Sequence, residues 1–432
     1  MATIPSLALI PSGYKASKVY SVLPTDGTGD FDFTRSGNAT RVNSEGLIEL
    51  VSTNVPRLNY PLIDGVVQGC PSLLLEPQRI NSLPYSEDFS NAYWSKSAST
   101  ITSNSVISPD GTLNADSIVG DGTSGNHYIL AQFTAVVAQD YTVSIFVKAG
   151  TNNFFQVNLG GAPFSSTNYC NFDLSNGIIG SYGGTSFNRF IEPFPNGWYR
   201  IGFTATALSS GSANLFPTLI TSSTSVFLES NTLDTSIEIY GAQLEAGSYP
   251  TSYIPTSGTT ATRSAETCNN AGDVNTFNDS EGVLFAEISA LAEDGSYRLI
   301  SISDGTETQR ITILYDITDN KIYVQCVNGT TQAFIPFVPQ SISNNNKVAM
   351  KYKANDFALW VNGFEVGTDT NGSIPTGLDT LSFDRGDLLN PFYGNTKQIQ
   401  YFDSALTDSE LETLTSWMSF SDMAIDLNYT IQ

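Results

Sequence analysis

Residues Tyr141-Thr142-Val143-Ser144-Ile145-Phe146-Val147-Lys148 place Tyr141, Val143, Ile145 and Val147 on one face of a strand. Trp198-Tyr199-Arg200-Ile201-Gly202-Phe203-Thr204 repeats the pattern, with Tyr199, Ile201 and Phe203 together. Phe154–Leu159, Val226–Leu228 and Ile237–Tyr240 have the same character, and turns rich in Gly and Asn separate them. Short strands at turn-punctuated spacing, with no competing helical pattern, predict a jelly-roll-like β-sandwich over residues 84–256. Trp198 opens a strand with alternating apolar partners and belongs to its core.

Outward from that module the reading changes twice. Residues 257–280 follow Pro250 and Pro255 and carry Gly258 among Ser and Thr, then Asn269-Asn270-Ala271-Gly272. That composition predicts a linker. Residues 281–420 return to short strands: Val283–Ile288, Arg298–Ile302, Ile311–Tyr315, Lys321–Val327, Val348–Tyr352, Phe357–Val361 and Leu381–Phe383. Asn362-Gly363 supplies the pair of positive φ angles that a tight hairpin needs. Trp360 sits in the hairpin strand as a core residue. Thr407-Asp408-Ser409-Glu410 is a capping box, and Leu411, Leu414 and Met418 follow on one helical stripe. Residues 421–432 form a C-terminal tail in which Ile425, Leu427, Tyr429 and Ile431 alternate. Residues 1–83 have turn signals at 11–13, 26–30 and 36–38, with strands at Lys18–Val22 and Gly46–Val51. Their core is too thin to fold alone, so the expectation is an attachment or oligomerisation segment that folds against a partner or a second copy. The predicted fold class is all-β: two β-sandwich domains after a loop-rich N-terminal segment, with one short C-terminal helix.

Composition narrows the function. The chain has 432 residues, 42 acidic against 19 basic, for a net charge of −23 and no basic run. Nucleic acid and anionic membranes are poor partners for such a surface. No apolar run approaches the ~18 residues of a membrane helix. The apolar piece Ile4–Ile10 is interrupted by Pro5 and follows no Lys or Arg, unlike a secretory signal. Cys70, Cys170, Cys268 and Cys326 show no paired metal spacing and read as free, buried thiols. The one histidine, His127, stands without a Cys nucleophile or a nucleophile elbow and reads as structural.

Three stretches carry a resemblance. Phe33-Thr34-Arg35-Ser36-Gly37-Asn38-Ala39-Thr40-Arg41-Val42-Asn43, with Gly46-Leu47-Ile48-Glu49, Val55-Pro56-Arg57 and Leu73-Leu74-Leu75-Glu76-Pro77-Gln78-Arg79-Ile80-Asn81, resembles the N-terminal region of structural and fibre proteins of tailed bacteriophages. Tyr240-Gly241-Ala242-Gln243-Leu244-Glu245-Ala246-Gly247, with Tyr253-Ile254-Pro255-Thr256 and Thr262-Arg263-Ser264, resembles the close of a phage carbohydrate-binding module. Ala358-Leu359-Trp360-Val361-Asn362-Gly363 and Phe402-Asp403-Ser404-Ala405-Leu406-Thr407-Asp408-Ser409-Glu410-Leu411 are similar to the concanavalin A-like lectin/laminin G sandwich. The resemblance implies a fibre or decoration protein on the virion surface, made in the host cytoplasm without a signal peptide. Its implied partners are other virion proteins, further copies of itself in a homotrimer, and host-surface glycans.

Sugars stack on exposed aromatic faces beside amide and carboxylate groups. Trp94, Tyr169 and Tyr182, in Asn-, Gly- and Ser-rich surroundings, are the candidate carbohydrate-binding residues. No cofactor is expected apart from a structural calcium, for which Asp116, Asp121 and Asp304 are the loop candidates. Asp384 and Asp387 flank Gly386 beside Arg385, an acid pair that reads as a turn or cation site rather than a hydrolytic centre. Thr34-Arg35-Ser36 and Thr262-Arg263-Ser264 echo one another, and their arginines read as inter-subunit contacts or as surface salt bridges. The leading expectation is a non-enzymatic glycan-binding adhesion protein. A purely architectural virion part and a tail-associated glycan-degrading enzyme are the alternatives.

Overall fold

The computed structural model describes residues 3–164, 168–318 and 320–427. The chain is almost wholly β, and all of its strand ladders are antiparallel. The middle module is a sandwich of two six-stranded sheets. Asp140–Ala149 lies centrally in one sheet, between Trp198–Thr206 and Ser236–Ala246. Tyr141, Val143, Ile145 and Val147 all enter the core, while Phe146 points out of the sandwich to pack on Trp198, Tyr240 and Tyr253. The apolar core of this module comes entirely from residues between Leu83 and Leu244.

The second sandwich is not built from residues 281–420 alone. Its larger sheet runs Phe364–Asp369, Phe357–Val361, Asn346–Lys353, Glu281–Ala290, Gly394–Phe402, Ser72–Leu75, Arg57–Asn59. One edge of Gly394–Phe402 is divided between two N-terminal strands: Leu7–Leu9 pairs with its end, and Ser72–Leu75 with its start. Leu7, Leu9, Val19, Phe31, Phe33, Leu58, Leu73 and Leu75 lie in the same core as Leu284, Ile288, Val348 and Ile399. The partner that residues 1–83 require is therefore the chain's own C-terminal half. The region expected to be a linker holds two strands. Ala261–Arg263 pairs with Arg79–Asn81, and Thr267–Asn269 pairs with Phe31–Thr34. The middle sandwich is thus an insertion, entered and left through one short two-stranded neck.

The remaining sheet has five strands: Thr330–Phe337, Ile322–Asn328, Gln309–Tyr315, Arg298–Ser303 and Thr380–Ser382. Ile300, Ile302, Ile311, Ile313, Val324 and Ile335 face inward. The hairpin at Asn362-Gly363 has φ of 54° and 89° at those residues, as its sequence requires.

Local corrections follow from burial and tertiary contacts. Val226–Leu228 is a turn, with Val226 exposed and Leu228 at positive φ, so its apolar run does not enter a sheet. The capping box at Thr407 forms with both of its reciprocal hydrogen bonds, but α1 spans Asp408–Thr415 and stops before Met418, which is fully exposed. Part of the expected tail is a second helix, α2, Phe420–Asp426, capped by Ser419. Tyr429 and Ile431 lie outside the described residues. Cys70 is exposed and the other three cysteines are buried; all four are free.

Candidate functional site

Each candidate from the sequence has a definite place. Trp94 is completely buried, donates its indole N–H to the Tyr85 carbonyl at 2.9 Å and packs on Phe89 and Tyr93. It is a core residue and offers no face to a ligand. Tyr182 is half-exposed, but the Arg189 guanidinium sits 3.6 Å from its ring centroid and covers one face. Tyr169 is partly buried against Phe227. Tyr182 pairs with Cys170 and Tyr169 with Gly183. The two tyrosines therefore lie on opposite faces of their sheet, and the three candidates do not form one platform. Trp198 and Trp360 are in cores.

The polar candidates are engaged in their own turns. Asp116 accepts from the amides of Phe89 and Asn104, Asp121 from Thr123, and Asp304 from Thr306. Among the described residues, no three His, Cys, Asp or Glu side chains converge on a common point. The calcium candidates thus do not assemble a carboxylate ligand set. Asp384 is buried, accepts from Asn269 and the Gly386 amide, and has its carboxyl pushed up by burial. Asp387 forms an ion pair with Arg385. Both acids shape one loop. His127 is buried, its ring nitrogens facing the carbonyls of Ala98 and Asn231.

The echoed arginines meet. Arg35 and Arg57 both pair with Glu266, and Arg57 and Arg263 both pair with Glu76, all with fully or almost fully buried side chains. Glu76 also accepts from the Ser252 amide and hydroxyl. This network stands at the neck of the insertion, within one chain. It is neither an inter-subunit contact nor a surface salt bridge.

Several concave surfaces remain, and two of them lie on the outer faces of the C-terminal sheets. The larger, about 690 Å³, lies on the outer face of the larger C-terminal sheet. Ser289, Lys347, Asn395 and Lys397 line it, with Trp417 and Asp426 of the C-terminal segment opposite Ile63 and Gln68. Its charged groups are mutually engaged. Lys397 pairs with Asp426, the Trp417 indole donates to Asp426, and Lys347 donates to the Ser416 carbonyl. These contacts hold the C-terminal helical segment on the sheet.

The second surface is a cleft of about 340 Å³ on the outer face of the five-stranded sheet. Period-two geometry builds it. Leu299, Leu314 and Tyr323 are cross-strand neighbours and form a small apolar cluster of their own. The adjoining row is Thr312, Gln325 and Phe334. Phe334 stacks on Tyr323, with centroids 4.5 Å apart and planes at 20°, and leaves 49% of itself exposed. Tyr297, 43% exposed, and Asn390 stand at another side. Arg310 reaches the cleft from the strand that carries Leu314, and donates to Gln325 at 2.8 Å. Burial and the neighbouring Arg385 lower its pKa from the usual guanidinium value, against the opposing pull of Glu307 and Asp387. At the far end burial and Asp316 push the Tyr297 phenol up. The arrangement combines open aromatic faces with amide and guanidinium donors.

The sequence reading missed this cleft because it followed only the inward positions of Ile311–Tyr315 and Lys321–Val327. The alternate positions, Arg310, Thr312, Leu314, Tyr323 and Gln325, carry the signal. Phe334 lies in Thr-Thr-Gln-Ala-Phe-Ile-Pro-Phe, residues 330–337, where Pro336 weakens the strand pattern.

Taken together, fold and surface define a protein of two antiparallel β-sandwiches, one inserted in the other, with an aromatic and polar cleft on the outer sheet. No family model matches the chain, and no curated protein matches it. Among solved structures, it is similar to the carbohydrate-binding module CBM40 of a Ruminococcus gnavus sialidase bound to α2,3-sialyllactose. The identity is 18%, over 32% of this chain and 84% of that one, with a TM-score of 0.28. The α2,6-sialyllactose complex of the same module matches at 17% identity over the same shares, also with a TM-score of 0.28. Domains LG4-5 of the mouse laminin α1 chain match at 11% identity, over 66% of this chain and 90% of that one, with a TM-score of 0.23. Likeness at this level bears on neither ligand nor family.

Proposed function

We propose that this protein is a non-catalytic glycan-binding protein that recognises saccharides in the cleft beside Phe334. The observation that carries the reading is the half-exposed Phe334, stacked on the buried Tyr323, next to Gln325, Asn390 and Arg310. A sugar presents an apolar ring face and a rim of hydroxyls, and that pairing of groups matches both. A shallow cleft buries little ligand surface, so single-site affinity falls on the order of millimolar to micromolar. Display in many copies raises the effective strength. The N-terminal resemblance to tailed-phage proteins extends the proposal to a virion-surface adhesion protein, produced in the host cytoplasm. A homotrimer is not part of it, because residues 1–83 find their packing partner within the chain.

The experiment is retention of the full-length protein on immobilised bacterial surface polysaccharides, with an assay for new reducing ends. Retention without cleavage is expected, and Phe334→Ala should weaken it about fivefold or more, the loss of about 1 kcal/mol of stacking. New reducing ends would make the protein an enzyme. Absence of both retention and cleavage across a broad panel would leave the architectural role.

A further inference from the structure

Arg310 is 91% buried from solvent, being 9% exposed. Such a guanidinium in a protein interior is ordinarily matched by a carboxylate, because an unmatched buried charge is strongly destabilising. In this chain acids outnumber bases by 42 to 19, yet none of the described carboxylates forms an ion pair with Arg310. Its Nη2 donates to the neutral Gln325, and its Nε is buried with no partner at all. The neighbouring Thr312 hydroxyl is likewise buried and unpartnered. By contrast, Arg385 at the cleft's rim is already neutralised by Glu307 at 2.9 Å and by Asp387. Asp316, the one acid lining the cleft, accepts from its own turn at Ile317 and Thr318. Arg310 thus has no carboxylate in direct contact, beside an open aromatic face, while Glu307 and Asp387, both bonded to Arg385, attract it only from a distance.

We propose that the cleft selects acidic saccharides, seating a sugar carboxylate on the Arg310 guanidinium while the sugar ring lies on Phe334. The proposal rests on the glycan-binding reading above and specifies its ligand class. A carboxylate supplies the acceptor that Arg310 lacks, and a charge-assisted hydrogen bond in a recessed site is about twice as strong as a neutral one. A neutral sugar would leave the guanidinium unmatched. Negative charge over the rest of the surface repels polyanions at long range, so acid binding localises to this cleft.

The test uses the full chain and oligosaccharides bearing uronic or sialic acids, each paired with its carboxyl-reduced derivative, measured by affinity electrophoresis or calorimetry. The acidic member of at least one pair should bind about tenfold or more tightly than its reduced partner. Arg310→Gln should lower the affinity for that acidic sugar about tenfold and abolish the difference between it and its reduced partner. Its far-ultraviolet spectrum should match wild type and its melting temperature should equal or exceed it, because the change removes a buried unmatched charge. Should that variant fail to fold, Arg310→Lys decides: it keeps the charge without the planar fork, and the acid preference should fall severalfold. Equal affinity for both members of every pair, with both lost in Phe334→Ala, would overturn the acidic selectivity while the glycan-binding reading stands. An acid preference unchanged in the Arg310 variants would also overturn it. Binding of no member of the panel would overturn both readings.

Discussion

Glu266 takes two guanidiniums from residues more than two hundred positions earlier, Arg35 and Arg57, while Glu76 takes Arg57 and Arg263. None of these side chains is more than 3% exposed, so each charge depends on its neighbours for solvation. Removing one partner strands the others. Glu266→Ala should therefore destabilise the protein by about 3–5 kcal/mol, read from urea unfolding. A loss below ~1 kcal/mol would show that the network does not hold the neck. The same cluster sets an acid limit. Burial raises the Glu76 carboxyl, but Arg263, Arg57 and the Ser252 hydrogen bonds outweigh it and hold the pKa at about 2, below the ordinary 4.5. A pKa lowered by folding contributes stability that is complete above the unfolded value and is lost as pH falls toward the folded one. Stability should thus be flat through neutral pH and decline between about 4.5 and 2. In Glu76→Gln that portion of the decline should be absent, from a lower starting stability.

Among the elements, the N-terminal strands belong energetically to the C-terminal sandwich. Eight of their apolar side chains lie in its core, each contributing about 1.5–3 kcal/mol by burial. Together they exceed about 10 kcal/mol, comparable to the whole stability of a domain. Deleting residues 1–83 should leave the C-terminal half unfolded or aggregated, with an open edge on Gly394–Phe402. Recovery of a soluble, sheet-rich C-terminal domain from that deletion would contradict the assignment. At the other end, α1 covers the outer-face cluster of Val283, Phe285, Ala349 and Trp360 with Leu411. Its capping box fixes where the chain turns onto the sheet.

Over the molecule as a whole, the insertion predicts an asymmetry between the two sandwiches. The middle module draws its apolar core from Leu83 to Leu244, with no core residue from either flank. Residues 82–256 expressed alone should be a soluble β-rich monomer, by circular dichroism and light scattering. It should retain none of the binding to acidic saccharides that we propose for the five-stranded sheet. Ile48, which packs on the module's outer face with Trp198 and Tyr253, is among the contacts it would lose. Its melting should therefore fall slightly rather than collapse.

The period-two pattern of Tyr141–Lys148 and Trp198–Thr204 determined the all-β class by itself, because side-chain alternation on a strand is a local geometric fact. The Asn362-Gly363 hairpin and the Thr407 capping box were equally local and formed as written. Tertiary structure alone decided which strands meet. Nothing local distinguishes Ser72–Leu75, pairing with Gly394–Phe402, from a strand of a separate attachment segment. Nor does sequence spacing reveal that Arg35 and Arg263 converge on adjoining carboxylates. The candidate site followed the same division. Trp94 stood in polar surroundings yet sank into the core, since burial depends on what packs over a residue. Phe334 and Arg310 became a cleft only because cross-strand register set Phe334 opposite Gln325 and brought Tyr323 and Arg310 diagonally beside that pair, a relation between strands that no single strand encodes.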